Sequence, residues 1–196
     1  MKTTRTVFDY RALTWKDFGK YCWVIINVMQ NRYGIRAKQG TLNNRITADF
    51  NGLQIITRPD LTWEMKLALL VHLFGHTVQF NTSAELREIG LTRYKPRDIN
   101  KNTLRVIRNY ELMASRYGLQ LLCLCGLHFL DQWASDWSNG DLDYLVMLYT
   151  TGKKYKLNGR TLRRYKRQYI HYGTKLIKPL PIPDFVPRKW PKRAAF

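Results

Sequence analysis

The first predicted helix lies between Thr14 and Gly34. Thr14 is a typical N-cap residue, and a glycine at position 34 favours the left-handed conformation that ends many helices. Between these two residues the large apolar side chains recur at the spacing of one helix face. They are Trp15, Phe18, Tyr21, Cys22, Ile25, Ile26, Val28 and Met29. The pattern predicts an amphipathic helix that packs on a core.

A β-hairpin and a buried helix come next. Two short β-prone runs, 45–50 and 53–57, flank the dipeptide Asn51-Gly52. Both turn residues tolerate positive φ, so the dipeptide favours a tight turn between antiparallel strands. Thr62 is then an N-cap for a helix from about Trp63 to Phe80, which is apolar almost all round. Such a helix lies in the middle of a domain.

The rest of the first 152 residues is predicted as helices joined by loops. We predict a short helix over 83–90 and a long helix over about 104–130. A fourth helical stretch is predicted to break at Asn139-Gly140 and to restart behind Asp141. The predicted fold class is mainly α with a small β-hairpin or sheet, an α+β fold that forms one helical domain over residues 1–152.

Residues 153–196 form a predicted basic C-terminal tail. From Thr151 onward fourteen basic residues stand against one acid, which is a net +13 of the whole chain's +19. Residues 161–172 are predicted as a basic helix. The prolines between 178 and 191 predict an extended strap with polyproline character. The basicity therefore belongs mainly to this tail.

Cysteine usage and apolar runs bear on location. The three cysteines, Cys22, Cys123 and Cys125, form no C-x-x-C pair and are interpreted as thiols of a reducing compartment. The N-terminus has no apolar h-region, and the longest apolar stretch, 119–130, is shorter than the ~20 residues of a membrane helix. We expect a cytoplasmic protein that does not span a membrane.

The candidate chemistry lies on the apolar helix. His72 and His76 are four residues apart, so their side chains share one face and can bind one metal ion. Two core histidines without a metal are the alternative. A zinc site needs a third ligand, and Glu111 is the one acid between Asp98 and Asp131. The alternative for Glu111 is a surface pair with Arg108 or Arg116.

These motifs resemble a known family. The order of a hairpin, an apolar helix with H-x-x-G-H-T-x-Q and a later helix with E-x-x-A is similar to the ImmA/IrrE-type zinc metallopeptidases over roughly residues 15–120. That family carries H-E-x-G-H and a glutamate ligand on the following helix. The resemblance implies a zincin-like core in which His72, His76 and Glu111 bind zinc, and a protein substrate or a regulatory partner.

The chain departs from that family at Leu73. Family members have a glutamate there, which activates the water at the metal, and leucine accepts no proton. No catalytic residue is therefore assigned. We expect a zinc-binding protein with weak or no peptidase activity that acts in regulation or binding. An active zinc endopeptidase that uses another base is the alternative.

A third hypothesis is a nucleic-acid-binding protein that keeps the fold as a scaffold. Its candidate residues are Arg163, Arg164, Lys166 and Arg167. They alternate with Tyr165 and Tyr169, and basic plus aromatic side chains suit phosphate contact and base stacking. The alternative is a tail that wraps the domain. We predict that four aspartates form a solvated face on which the tail could fold back. They are Asp131, Asp136, Asp141 and Asp143.

Overall fold

The computed structural model describes residues 8–42, 46–92, 94, 99–153, 159–191 and 194–195, and the side chains of all of these except 159–162 and 194–195. In chain order the elements are α1 (Trp15–Tyr33), β1 (Arg36–Gln39), β2 (Ala48–Phe50), β3 (Gln54–Thr57), α2 (Trp63–Thr82), α3 (Ala84–Leu91), α4 (Lys101–Leu124), α5 (Asp131–Thr151), α6 (Gly159–Tyr169) and β4 (Ala194–Ala195). The mainly helical α+β class is confirmed. Residue 45 of the predicted hairpin and residues 154–158, 192, 193 and 196 of the predicted tail lie outside the described residues.

Local capping signals set the ends of the first two long helices. Thr14 and Asp17 form a reciprocal capping box at the start of α1, and Gly34 ends the helix with φ 67°. The Thr62 side chain accepts a hydrogen bond from the Met65 amide at 3.2 Å and so caps α2. Each predicted start is confirmed because these bonds satisfy helix amides that have no partner within the helix.

The predicted hairpin is the centre of a small sheet. Strands β2 and β3 pair antiparallel with Phe50 opposite Ile55, and β1 runs parallel to β3. The strand order is β1-β3-β2-β4. In the turn, the Asn51 side chain accepts hydrogen bonds from the amides of Leu53 and Gln54, and Gly52 has φ 86°. The predicted turn is therefore present, although of its two residues only Gly52 has positive φ and Asn51 contributes through its side chain instead.

Helix α2 occupies the middle of the fold, between α1 and α4. It approaches α4 closely because a glycine lies on each side of the contact. A β-carbon at Gly75 would overlap the Ala114 carbonyl, and one at Gly118 would lie 2.5 Å from the Val71 carbonyl oxygen. Although α2 is strongly apolar, no helix among the described residues is both long and apolar enough to cross a membrane.

Two predicted helix boundaries were wrong. The long helix begins at Lys101 and ends at Leu124, where Gly126 has φ 71° and turns the chain toward α5. Helix α5 does not break at Asn139-Gly140 but continues to Thr151. Gly140 is needed there for packing, because a β-carbon would lie 2.5 Å from the Tyr169 carbonyl oxygen of α6. The Asn139-Gly140 dipeptide, which predicted a break in the helix, marks a close contact between two helices instead.

The predicted solvated face of aspartates was also wrong in its central member. Asp136 is fully buried, and its carboxylate accepts hydrogen bonds from the Tyr10 hydroxyl and from the Gly173 and Thr174 amides. Asp141 is half-buried, and Asp143 is exposed. The buried carboxylate thus joins the N-terminal turn, α5 and the C-terminal segment.

The C-terminal segment lies against the helical domain. Tyr165, Tyr169, Ile170 and Ile177 belong to the same buried apolar cluster as α1, α2 and α4. Backbone bonds extend this contact, from the Leu180 amide to the Arg116 carbonyl and from the Trp190 amide to the Asn51 carbonyl. This part of the chain therefore contributes core side chains as well as charge.

Candidate metal centre

Three side chains from α2 and α4 meet at one point. His72 and His76 lie one turn apart on α2, and Glu111 comes from α4. The Nε2 atom of His76 lies 2.9 Å from Nε2 of His72 and 3.0 Å from Oε2 of Glu111. The same carboxylate oxygen is 3.2 Å from His72 Nε2. The structure thus brings together the three residues that the sequence singled out.

Glu111 is not the surface ion-pair partner that the alternative required. Its side chain is 7 % exposed, and Arg116 donates instead to the Lys178 carbonyl oxygen. His76 is fully buried, whereas the His72 side chain is 15 % exposed. The open side of the group is therefore the side of His72.

The imidazoles stabilise the buried charge of Glu111. Burial raises the pKa of Glu111, but the neighbouring imidazoles of His76 and His72 outweigh burial and lower it to about 2. Burial lowers the pKa of His76 below its usual value, although Glu111 opposes this. Burial also lowers the pKa of His72, but there Glu111 prevails and the net pKa is raised. An ionised Glu111 and a neutral His76 are the forms that bind metals.

Gln79 determines which nitrogen of His76 faces the group. The Gln79 amide nitrogen donates to the Tyr110 carbonyl oxygen at 2.8 Å, so its oxygen points to His76 Nδ1, also at 2.8 Å. An oxygen accepts only, so Nδ1 carries the proton and Nε2 presents its lone pair toward His72 and Glu111. Histidine ligands of metals are commonly oriented in this way. The histidine spacing alone does not reveal this role; a glutamine one turn after the second histidine was the available signal.

Two aromatic rings pack on the imidazole of His76. Tyr110 stacks on the imidazole with centroids 4.7 Å apart, and Phe50 stacks at 5.9 Å. Phe50 ends β2, and Tyr110 precedes Glu111 on α4. The hairpin and α4 therefore both fix the ring that Gln79 orients.

The donor set could hold a metal ion. The ligand atoms of His72, His76 and Glu111 all lie within 4.8 Å of one another. Among the described residues no other group of three His, Cys, Asp or Glu side chains does so. Two imidazole nitrogens and a carboxylate oxygen form a ligand set that divalent metals accept.

No second acid on α2 is available to the group. Leu73, which follows the first histidine, is fully buried in the apolar cluster. Glu64 lies two turns earlier and is engaged elsewhere. It accepts hydrogen bonds from Trp137 Nε1 at 3.3 Å and from the Lys166 ammonium at 2.5 Å.

A cavity of 60 Å³ adjoins His72 and is lined by an acid that was not predicted as part of the site. Its walls are mainly apolar, with contributions from Met65, Leu69, Trp133 and Trp137. Asp141 of α5 lines it together with His72, and the Tyr165 hydroxyl donates to Asp141 Oδ1 at 3.0 Å. Burial raises the pKa of Asp141, and His72 opposes this shift. Only helix packing brings this acid near His72.

The four basic candidates on α6 divide into two groups. Arg163, Arg164 and Arg167 are exposed, whereas Lys166 pairs with Glu64 on the inner side of the helix. Tyr165 and Tyr169, the predicted stacking side chains, are 3 % and 7 % exposed. The aromatic part of the nucleic-acid hypothesis is therefore wrong, because these rings are packed in the core.

Comparison of the chain with family models, curated proteins and solved structures finds no match. The site must accordingly be interpreted from its own geometry.

Proposed function

We propose that this chain is an ImmA/IrrE-like zinc-binding protein with a zincin-like core and weak or no peptidase activity, which acts on a protein partner in regulation or binding. The observation that carries the proposal is the convergence of His72, His76 and Glu111, with Gln79 behind His76. The family named in this proposal rests on the resemblance of the H-x-x-G-H-T-x-Q and E-x-x-A motifs.

The spacing of the donor atoms supports zinc. With bonds of ~2.0–2.1 Å in a tetrahedral site, ligand atoms lie roughly 3.4 Å apart. The three donor separations here are 2.9, 3.0 and 3.2 Å. Binding thus requires these atoms to move apart by only a few tenths of an ångström. Three protein ligands also leave the fourth position that catalytic-type zinc sites keep open.

Bound zinc would supply Lewis-acid polarisation of an oxygen at that open position. The protein's part is to hold the ligands, which His76 does through Gln79 and the flanking rings. Hydrolysis also needs a positioned proton acceptor, which typically contributes about 10²–10⁴-fold to the rate. Leu73 cannot serve as one, and its side chain is in the core. Weak turnover follows from this arrangement.

Metal analysis of untagged protein tests the proposal. We expect one zinc per chain by elemental analysis in the wild type and none in His76→Ala. Glu111→Gln should bind more weakly, since it removes the anionic ligand. The control is His128→Ala, because His128 is exposed and remote from the three ligands. A metal-free wild type that takes up no added Zn²⁺ would refute the proposal.

Cleavage assays address the catalytic part. Zinc-loaded wild type should cleave unfolded casein far more slowly than an H-E-x-x-H metallopeptidase does. Robust cleavage that His76→Ala abolishes would instead favour an active endopeptidase with another base.

The exposed arginines of α6 favour a second candidate function, nucleic-acid binding. Arg163 and Arg167 lie one turn apart with Arg164 between them, and none of the three pairs with an acid that the structure describes. A cationic helix face of this kind binds phosphates without reading sequence, and its affinity falls steeply with salt.

Charge removal is a better test of this function than truncation, because truncation after Gly152 also deletes the core residues Tyr165 and Ile177. The triple variant Arg163→Gln/Arg164→Gln/Arg167→Gln should lose most binding to single-stranded DNA. The control variant removes the charges of Lys101, Arg105 and Arg108 by substitution; these are three exposed cations of α4. Equal losses in both variants would indicate that only net charge matters.

A further inference from the structure

The cavity beside His72 extends the metal site toward α5. Of the three proposed ligands, His72 alone lines it. A water molecule needs about 10–15 Å³ of such space, so the 60 Å³ of this cavity has room for a few waters or a small ligand. The cavity is therefore the place from which a molecule reaches the open position.

Most polar groups around the cavity already form hydrogen bonds with other groups of the protein. The Ser115 hydroxyl donates to the Glu111 carbonyl oxygen, and the indole nitrogens of Trp133 and Trp137 donate to Glu64. Asp141 differs from them. Tyr165 donates to its Oδ1, and no other described residue donates a hydrogen bond to Asp141. One oxygen of Asp141 is thus able to accept a hydrogen bond from a molecule in the cavity.

Asp141 is close to the ligands without being one of them. It lines the same cavity as His72, and the charge of His72 favours its ionised form. It is nevertheless not among the side chains whose ligand atoms all lie within 4.8 Å of one another. A carboxylate that lines the cavity but lies outside the donor group is suited to contact a molecule bound at the metal rather than the metal itself.

Resting on the proposed zinc site, we propose that Asp141 is a positioning residue for the molecule that occupies the open coordination position, and accepts a hydrogen bond from it. Asp141 enters from α5, on the side of the cavity, whereas the family's glutamate would enter from position 73 of α2. The site consequently favours small ligands that donate a hydrogen bond over ligands that only accept one.

Ligand preference of the Co²⁺-loaded full chain tests this inference. Acetohydroxamic acid donates hydrogen bonds, whereas acetate only accepts them, and the visible Co²⁺ spectrum reports both. Wild type should prefer acetohydroxamic acid. In Asp141→Asn the acetohydroxamic acid affinity should fall on the order of tenfold, the effect of losing a charge-assisted hydrogen bond, while acetate binds equally or better. The matched control is Asp143→Asn, an exposed acid on the same helix, which should change neither affinity.

The outcomes separate this inference from the proposed function. An unchanged preference in Asp141→Asn, with Co²⁺ bound, would overturn the role of Asp141 and leave the metal site intact. Failure of the wild type to bind Co²⁺ would overturn both. If Asp141→Asn does not fold, Tyr165→Phe removes the hydroxyl that holds Asp141 and keeps the ring. It should reduce the preference for acetohydroxamic acid, and an unchanged preference there would likewise overturn the inference.

Discussion

Gly75 of α2 lies against Ala114 of α4 so closely that a β-carbon on Gly75 would overlap the Ala114 carbonyl. Gly75 immediately precedes His76, and Ala114 lies one turn after Glu111. The separation of the two helices at this contact therefore determines whether the carboxylate reaches the imidazole. The site therefore requires a residue without a β-carbon at position 75.

Gly75→Ala should lower the free energy of unfolding, because an added methyl group in a tight core costs roughly 1–3 kcal/mol. Metal affinity should fall with it, since Glu111 is displaced. Urea denaturation measures the first effect. The matched control is Gly19→Ala in α1, where the new β-carbon would meet Trp63 at an ordinary 3.6 Å. That variant should be neutral or more stable by up to about 1 kcal/mol, through helix propensity. Equal stability of the two variants would contradict the packing argument.

Gln79→Met should weaken metal binding by about 10–100-fold, the usual effect of removing a hydrogen-bond partner of a histidine ligand. Methionine fills similar space but cannot accept the proton of His76 Nδ1, so the Nδ1–H tautomer, which leaves Nε2 free to bind a metal, is no longer favoured. Chelator competition with Zn²⁺ measures the change. Gln30→Met, at an exposed position of α1, is the control and should bind as the wild type does. An unaltered affinity in Gln79→Met would show that His76 needs no such orientation.

Leu73→Glu should destabilise the fold rather than restore a peptidase. Position 73 is fully buried among apolar side chains, and an unpaired buried carboxylate costs roughly 3–5 kcal/mol. Burial raises the folded-state pKa of the new acid above its unfolded value of about 4.3. The part of the loss that comes from ionisation is therefore absent at lower pH and grows as pH rises through that value. Urea unfolding at pH 4 and pH 7 measures it, with Leu73→Met, expected within about 1.5 kcal/mol, as the control. Full stability with new zinc-dependent cleavage would mean that position 73 faces the metal.

Asp136→Asn should lower the free energy of unfolding by roughly 2–4 kcal/mol. The carboxylate accepts hydrogen bonds from several donors, and the new amide group would direct hydrogens of its own at some of them. Burial raises the pKa of Asp136, but the bonds from Thr174, Tyr10 and Gln132 outweigh burial and leave it below its usual value. Its stabilisation is therefore complete above the unfolded pKa of about 3.9 and is lost as pH falls through the lower folded pKa. The variant should lack this part of the acid transition in pH-dependent unfolding, whereas Asp143→Asn should retain it. A wild-type acid transition in Asp136→Asn would contradict the assignment.

The sequence alone determined features that depend on residues a few positions apart. The capping box at Thr14, the turn at Asn51-Gly52 and the shared face of His72 and His76 each arise within about one turn of the backbone. Backbone geometry and local hydrogen bonds suffice for these features, so a pattern in the sequence predicts them. Glu111 was predictable for a related reason, since an isolated acid on the core face of a helix needs a partner.

Tertiary structure alone decided the features whose partners are distant in sequence. Gly140 interrupts nothing because Tyr169 lies against it, and Asp136 is buried because Tyr10, 126 residues away, donates to it. Tyr165 packs inward and holds Asp141 beside His72. A glycine or an aspartate favours a loop or a solvated surface only while no other element covers it. Packing covers these residues here, and it also brings Asp141 beside the candidate metal site.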